Sequence, residues 1–269
     1  MLSVTVACTY DEKAYGIAAP VGNTTPAPTG RPLRSTVVSL PLVIIAAAFG
    51  AAAAGFLPRV AHRLAVGFAA QPRPACAVCA QPFRPGLAGW VRAGAACRCS
   101  GGWVPIALTG TAVSALLAAA VGPSPLLPGY LLAAVIGLLL AIIDLRCLRL
   151  PDRLVGALAI TAGVPAAVLQ PERIGRAALA AAAVLIAYLV VAVLPGGGLG
   201  LGDVKLAAAL GLILGFAGWP AVLAGVLAPH LINGPIAVFL LVTKRAGRRR
   251  PLPFGPALLA GALLALTAA

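Results

Sequence analysis

The sequence predicts an all-α protein: a polytopic integral membrane bundle of about eight transmembrane helices with one small cysteine-containing loop. Three observations carry that prediction. Hydrophobic residues make up 61% of the chain against 10% charged, with a mean hydropathy of +1.02, a balance outside the range of ordinary globular proteins. Eight apolar runs follow one another, separated by short polar stretches. The basic residues responsible for a net charge of +14 are divided among those stretches. That distribution orients a membrane protein; a nucleic-acid partner would call for a patch on one soluble face, and none is expected.

Taken in order, residues 1–34 carry Pro, Gly, Thr and scattered charge without apolar periodicity, which predicts a disordered tail. The run 35–57 is long enough to span, since about 20 residues cross the hydrocarbon core, and too long and unbroken for a cleaved signal. Residues 58–103 are the one sizeable polar segment. Their cysteines Cys76, Cys79, Cys97 and Cys99 are grouped like metal ligands more than like a disulfide framework. Residues 104–269 hold seven further apolar runs, at 104–121, 126–143, 154–169, 177–194, 206–219, 221–242 and 253–269. Two of these, 154–169 and 206–219, are short for a span and must continue past their polar flanks or sit inside the bundle.

In an eight-span topology the stretches 58–103, 144–153, 195–205 and 243–252 lie on one side and carry fifteen Lys and Arg. Two fall on the opposite side and three in the tail. The fifteen-residue side is therefore expected in the cytoplasm, with the basic run at 244–250 against anionic lipid headgroups.

Acidic residues are few enough to weigh singly: Asp11, Glu12, Asp144, Asp152, Glu172 and Asp203. Asp144 directly follows an apolar run, in a stretch that ends Leu150-Pro151-Asp152. Asp203 lies in Gly200-Leu201-Gly202-Asp203-Val204-Lys205, between two runs. Carboxylates at a membrane boundary are costly and usually functional. Two of them on different helices suit acid–base hydrolysis of an amide, one ionised to activate water and the other protonated to polarise the carbonyl. Like charges a few Å apart would share a proton. The glycines at 196, 197, 198, 200 and 202 let non-helical backbone approach a substrate. The plainer alternative pairs Asp144 with Arg146 and Asp203 with Lys205 as interfacial charges that merely end helices. A transporter using both aspartates as a relay is the rival from another class. His230 and Asn233, inside the seventh run, are expected to hydrogen-bond to neighbouring helices.

From about residue 50 to the end these motifs resemble the type IV prepilin leader peptidase family, polytopic aspartic peptidases of the Gly-x-Gly-Asp group. The resemblance implies an endopeptidase that cleaves the leader of prepilin-like precursors (type IV pilin or pseudopilin) at the cytoplasmic face of the plasma membrane. Asp144 and Asp203 match the family's catalytic positions, and Asp152 matches a helix-start element. Gly200, Gly202 and Lys205 match the second motif, and Pro253-Phe254-Gly255-Pro256 the loop before the last helix, where Pro253, Gly255 and Pro256 would support the site or grip an extended peptide. Cys76, Cys79, Cys97 and Cys99 resemble the family's zinc-type knuckles, although Cys97-Arg98-Cys99 is one residue shorter than Cys-x-x-Cys. Zinc would be structural; proteolysis by two carboxylates requires no cofactor. Methylation of the new N-terminus with S-adenosylmethionine is tied in the family to the N-terminal region, where this chain has Pro58 in place of a family Asn.

Overall fold

The computed structural model describes residues 39–66, 70–76, 79–83, 86, 90, 103–194, 199–243 and 253–269. Among them the chain forms eight α-helices and no strand beyond an isolated bridge between Ala75 and Pro82. The helices are α1 (Leu40–Leu64), α2 (Trp103–Val121), α3 (Leu127–Cys147), α4 (Asp152–Leu169), α5 (Ile174–Val193), α6 (Leu201–Ala217), α7 (Trp219–Val242) and α8 (Gly255–Ala268). A 3₁₀ turn at Pro171–Arg173 leads into α5. Each covers one of the eight apolar runs. Five, α1 to α5, are long and apolar enough to cross a membrane, while α8 is apolar but shorter. The chain is a multi-pass membrane protein.

The boundaries moved where polar residues flank a run. The first helix continues past residue 57 through Pro58 and Arg59 to Leu64, held by packing of Leu57 and Ala61 into a cluster with Leu139, Ile142 and Ile143 of α3. Both short runs start earlier than their apolar residues do, α4 at Asp152 and α6 at Leu201, so each aspartate motif begins a helix. Gly218, with φ of 133°, then turns the chain directly into α7.

Small residues let the helices approach closely, as expected where lipid supplies no hydrophobic drive for association. A Cβ on Gly215 of α6 would sit 2.6 Å from the Cα of Ala177 on α5, and one on Gly261 of α8 would sit 2.7 Å from the ring of Pro229 on α7. Leu140, Ile143, Leu158 and Leu206 fill the fully buried centre. Large apolar side chains such as Ile45, Leu189 and Leu231 are left exposed, the surface a lipid-facing bundle presents.

The two arginines on the poorly charged side have a structural use. Arg176 donates from Nε to the carbonyl of Gly215 (2.8 Å) and from a guanidinium nitrogen to that of Phe216 (2.9 Å), and Arg173 donates to Phe216 as well (3.2 Å). These are the terminal carbonyls of α6, which have no intrahelical partner and carry the negative end of the helix dipole. The far end of the Asp203 helix is thereby fixed.

Candidate active site

Antiparallel succession brings the C-terminus of α3 to the same end of the bundle as the N-termini of α4, α6 and α8. Asp144 lies in the last turn of α3 and is only 4% exposed. The helix stops one turn later at Leu148, whose left-handed backbone (φ 53°) is closed by its N–H donating to the Asp144 carbonyl at 2.8 Å. That conformation costs a branched residue roughly 1–2 kcal/mol and persists only where packing imposes it. It frees the chain to turn, and buried Leu150 then lies beneath Gly202, where a Cβ would come 3.2 Å from its own.

Asp203 occupies the first turn of α6, the third residue after the capping Gly200. Its Oδ2 accepts the Gly200 N–H at 3.3 Å, half of a capping box, since glycine has no side chain to return the bond. Its Oδ1 is buried and has no hydrogen-bond partner among the described residues. A buried acceptor in that condition is rare and points to a functional demand. Asp144 accepts the Gly255 N–H on Oδ2 at 3.0 Å, a bond between residues 111 apart in the chain. Asp144, in the last turn of α3, and Asp203, in the first turn of α6, thus lie at the same end of the bundle and within electrostatic range of each other.

The salt-paired alternative fails for both. Arg146 donates to the carbonyl of Pro58 at 3.3 Å, and Lys205 donates to Asp152 Oδ2 at 2.8 Å. Neither cation meets the aspartate beside it in sequence. Asp152 instead ties the first turn of α4 to the first turn of α6, with both side chains more than half exposed.

Around Asp203 stands a wall that the sequence did not announce. Tyr188 of α5 lies close enough to feel the Asp203 charge. It forms a triangle of rings with His230 (5.8 Å) and Phe254 (6.4 Å), and His230 meets Phe254 at 5.5 Å. No spacing rule links residues 188, 230 and 254. The expectation that His230 and Asn233 bond to neighbouring helices is corrected. His230 Nδ1 pairs with the carbonyl of Val226 on its own helix at 2.8 Å, a group also reached by Tyr188, and Asn233 Nδ2 has no partner among the described residues. Pro229 within α7 cannot donate, which loosens the local ladder in the turn beside these groups.

The segment Pro253-Phe254-Gly255-Pro256, matched above to the loop before the last helix, is half loop and half helix start. Gly255 opens α8 and Pro256 falls in its first turn, where N–H groups lack intrahelical partners and proline costs nothing. Gly255 thus presents its N–H to Asp144 in place of an open loop carbonyl.

Of the four cysteines, Cys76 and Cys79 lie among the described residues. The Cys76 N–H donates to Gln81 O (3.0 Å), the Ala80 N–H donates to Cys76 O (3.2 Å), and Ala80 is left-handed at φ 55°. This compact knuckle suits two thiolates of one tetrahedral site. Cys97 and Cys99 lie outside the described residues, as do Gly196, Gly197, Gly198 and the basic run 244–250, and no group of three metal-binding side chains occurs among the described ones. The knuckle is fastened to α1. One ring nitrogen of His62 faces the Ala75 carbonyl (3.3 Å), the other faces Arg73 (3.2 Å), and Arg63 lies 5.0 Å from the Phe83 ring centroid.

Residues 131–243 match the type IV leader peptidase family. A prepilin leader peptidase/N-methyltransferase of Bacillus subtilis (strain 168) is 38% identical over 87 residues, 32% of this chain and 34% of that protein. The match thus spans about a third of the length of that curated relative. No solved structure matches the chain. Asp144 and Asp203 both fall inside the stretch, residues 131–243, that is similar to the type IV leader peptidase family.

Proposed function

We propose that this protein is a membrane aspartic endopeptidase that removes the leader from prepilin-like precursors at the cytoplasmic face of the plasma membrane. The observation that carries the reading is the convergence of Asp144 and Asp203 from two helix ends while their neighbouring cations are engaged elsewhere. One carboxylate takes a proton from water as the other donates one to the scissile carbonyl, and the roles reverse as the amine leaves. Gly255 holds Asp144 through Oδ2, and Gly200 holds Asp203 through Oδ2. A carrier reading has less support, because relays in carriers sit near the midplane and these groups sit at helix ends. The test is coexpression of the full chain with a type IV prepilin precursor. Conversion to the shorter mature form on a gel is expected, and persistence of the precursor beside stably inserted enzyme would count against the reading.

Orientation is checked separately. With the basic side in the cytoplasm, Cys76 and Cys79 in intact cells should react slowly with a membrane-impermeant maleimide and rapidly once the cells are permeabilised and zinc is removed with a chelator. Rapid labelling of intact cells would reverse the assigned topology.

Zinc is proposed as a structural ion held by Cys76, Cys79, Cys97 and Cys99, in a loop too small to build its own core. Purified protein should carry about one zinc per chain. The Cys76→Ser, Cys79→Ser double variant should lose it and become more sensitive to protease in the 58–103 segment. The proposal covers leader cleavage; S-adenosylmethionine enters only with methylation, whose family-associated region is where Pro58 and Cys97-Arg98-Cys99 depart from the pattern.

A further inference from the structure

Helix α7 carries two polar side chains, His230 and Asn233, in a sequence that is otherwise apolar apart from the Trp219 indole. Polar groups inside a span are costly and mark function. His230 has an acceptor on its own helix, but Asn233 Nδ2 is buried and has no partner among the described residues. A buried amide donor in that condition has given up its bonds to water for nothing in return, and such groups are rarely kept without a use.

The place of Asn233 in the bundle shows what that use is. Asp203 lies fifteen residues before the turn at Gly218, and Asn233 fifteen residues after it. At 1.5 Å per residue each is about 22 Å from the turn, so the α6–α7 hairpin brings both to one depth. Asn233 follows His230 by three residues and shares its face of the helix. That face meets the Tyr188 ring of α5 at 5.8 Å and the Phe254 ring at 5.5 Å. Phe254 precedes Gly255, whose N–H holds Asp144, and the Tyr188 hydroxyl donates to the Val226 carbonyl of α7 at 3.4 Å. The part of α7 that carries Asn233 is thus anchored to the elements around both carboxylates.

The same turn admits close approach by another main chain. Pro235 has no N–H to give to the Leu231 carbonyl, four residues back. At Gly234 an added Cβ would meet nothing within 4 Å. The turn therefore offers an amide donor and, two residues away, a carbonyl whose usual helical donor is missing. An extended peptide supplies the complement, one C=O and one N–H from each residue, whereas a lipid acyl chain supplies neither.

We propose that Asn233 is a substrate-binding residue: its Nδ2–H donates to a main-chain carbonyl of the precursor and holds the segment around the cut bond extended along residues 231–235 as it passes Asp203. The inference rests on the peptidase reading above and adds to it the group that grips the substrate main chain. A helical segment cannot use this contact, because its carbonyls are committed to its own N–H groups. The site accordingly selects an unwound conformation at the cut bond and is indifferent to side-chain sequence there.

The experiment uses purified full-length enzyme in detergent and a synthetic peptide spanning the leader and cleavage site of a type IV prepilin precursor. Asn233→Leu removes the donor and leaves an apolar side chain in an apolar helix. It should raise KM about tenfold and change kcat less than about twofold, the pattern of binding shared by substrate and transition state. A peptide set then carries one thioamide at a time on either side of the cut bond, sulfur being a poorer acceptor than oxygen. One of these should weaken cleavage several-fold in the wild type and leave Asn233→Leu unaffected, a coupling that general damage to the fold does not produce. An unchanged KM in Asn233→Leu, or equal thioamide losses in both enzymes, overturns the proposal.

A second measurement is independent of variant folding at position 233 and of turnover. The peptide, bearing a benzophenone beside the cut bond, is irradiated with Asp203→Asn enzyme. Crosslinks to residues 231–235 are expected, and crosslinks only elsewhere, or none, overturn the proposal. Should wild-type enzyme cleave no peptide while the crosslinks still map to residues 231–235, the peptidase reading fails and the binding site stands.

Discussion

Asp203→Asn and Asp144→Asn should each lower maturation of a coexpressed prepilin-like precursor by at least about a hundredfold, the loss that follows removal of a positioned acid or base. The substitution preserves shape and removes the ability to ionise or to donate a carboxyl proton. Asn at 203 can still accept the Gly200 N–H through its carbonyl, so the first turn of α6 keeps its cap and the protein its fold. The double variant should be scarcely worse than either single one, because groups that act as a unit are strongly non-additive. Asp152→Asn is the internal control. Its partner Lys205 is 2.8 Å away, but both are more than half exposed, and such pairs contribute at most about 1 kcal/mol. Most of the processing should therefore survive. Membrane levels of each variant are measured alongside the gel, and near-normal cleavage by a stably inserted Asp203→Asn enzyme would rule out the carboxylate mechanism.

How much of this site could be read from the chain depends on the range of the interaction. The helices were legible because each is an apolar run longer than its polar interruptions, and a membrane asks little more of a helix than that. The aspartates were legible because an acid bordering an apolar run has few ordinary explanations. Their surroundings were not. Arg146 and Lys205 sit two residues from the carboxylates and look like their partners, yet helical geometry points positions i and i+2 apart, and both cations find acceptors elsewhere. The Tyr188, His230 and Phe254 rings come from three segments with no local pattern in common. Where the loop at Pro253 to Pro256 gives way to the last helix was not legible either: prolines end a helix from inside and begin one from outside, and only the location of the first turn tells which.

Gly255→Ala should reduce turnover by about tenfold to a hundredfold while leaving the protein at least as well folded. The added Cβ would stand 2.9 Å from Asp144 Oδ2, 3.3 Å from its Cγ and 3.4 Å from its Cβ. The carboxylate is 4% exposed and cannot swing aside, so either it or the first turn of α8 must shift by several tenths of an ångström. Either displacement strains the 3.0 Å hydrogen bond from the Gly255 N–H and moves Asp144 relative to Asp203. Reacting groups held in a near-attack geometry lose about a hundredfold for a misplacement near 1 Å, which sets the upper limit. Alanine favours helix over glycine by up to about 1 kcal/mol, so the thermal midpoint should hold or rise as kcat falls, a split that general damage does not produce. Gly200→Ala is the matched comparison. Its Cβ would lie 3.3 Å from Asp203 Oδ2, and its extended backbone (φ −72°, ψ 146°) admits any residue. The smaller intrusion should cost only a few-fold. Equal turnover in Gly255→Ala and wild type would show that the backbone N–H of α8 does not position Asp144 for the reaction.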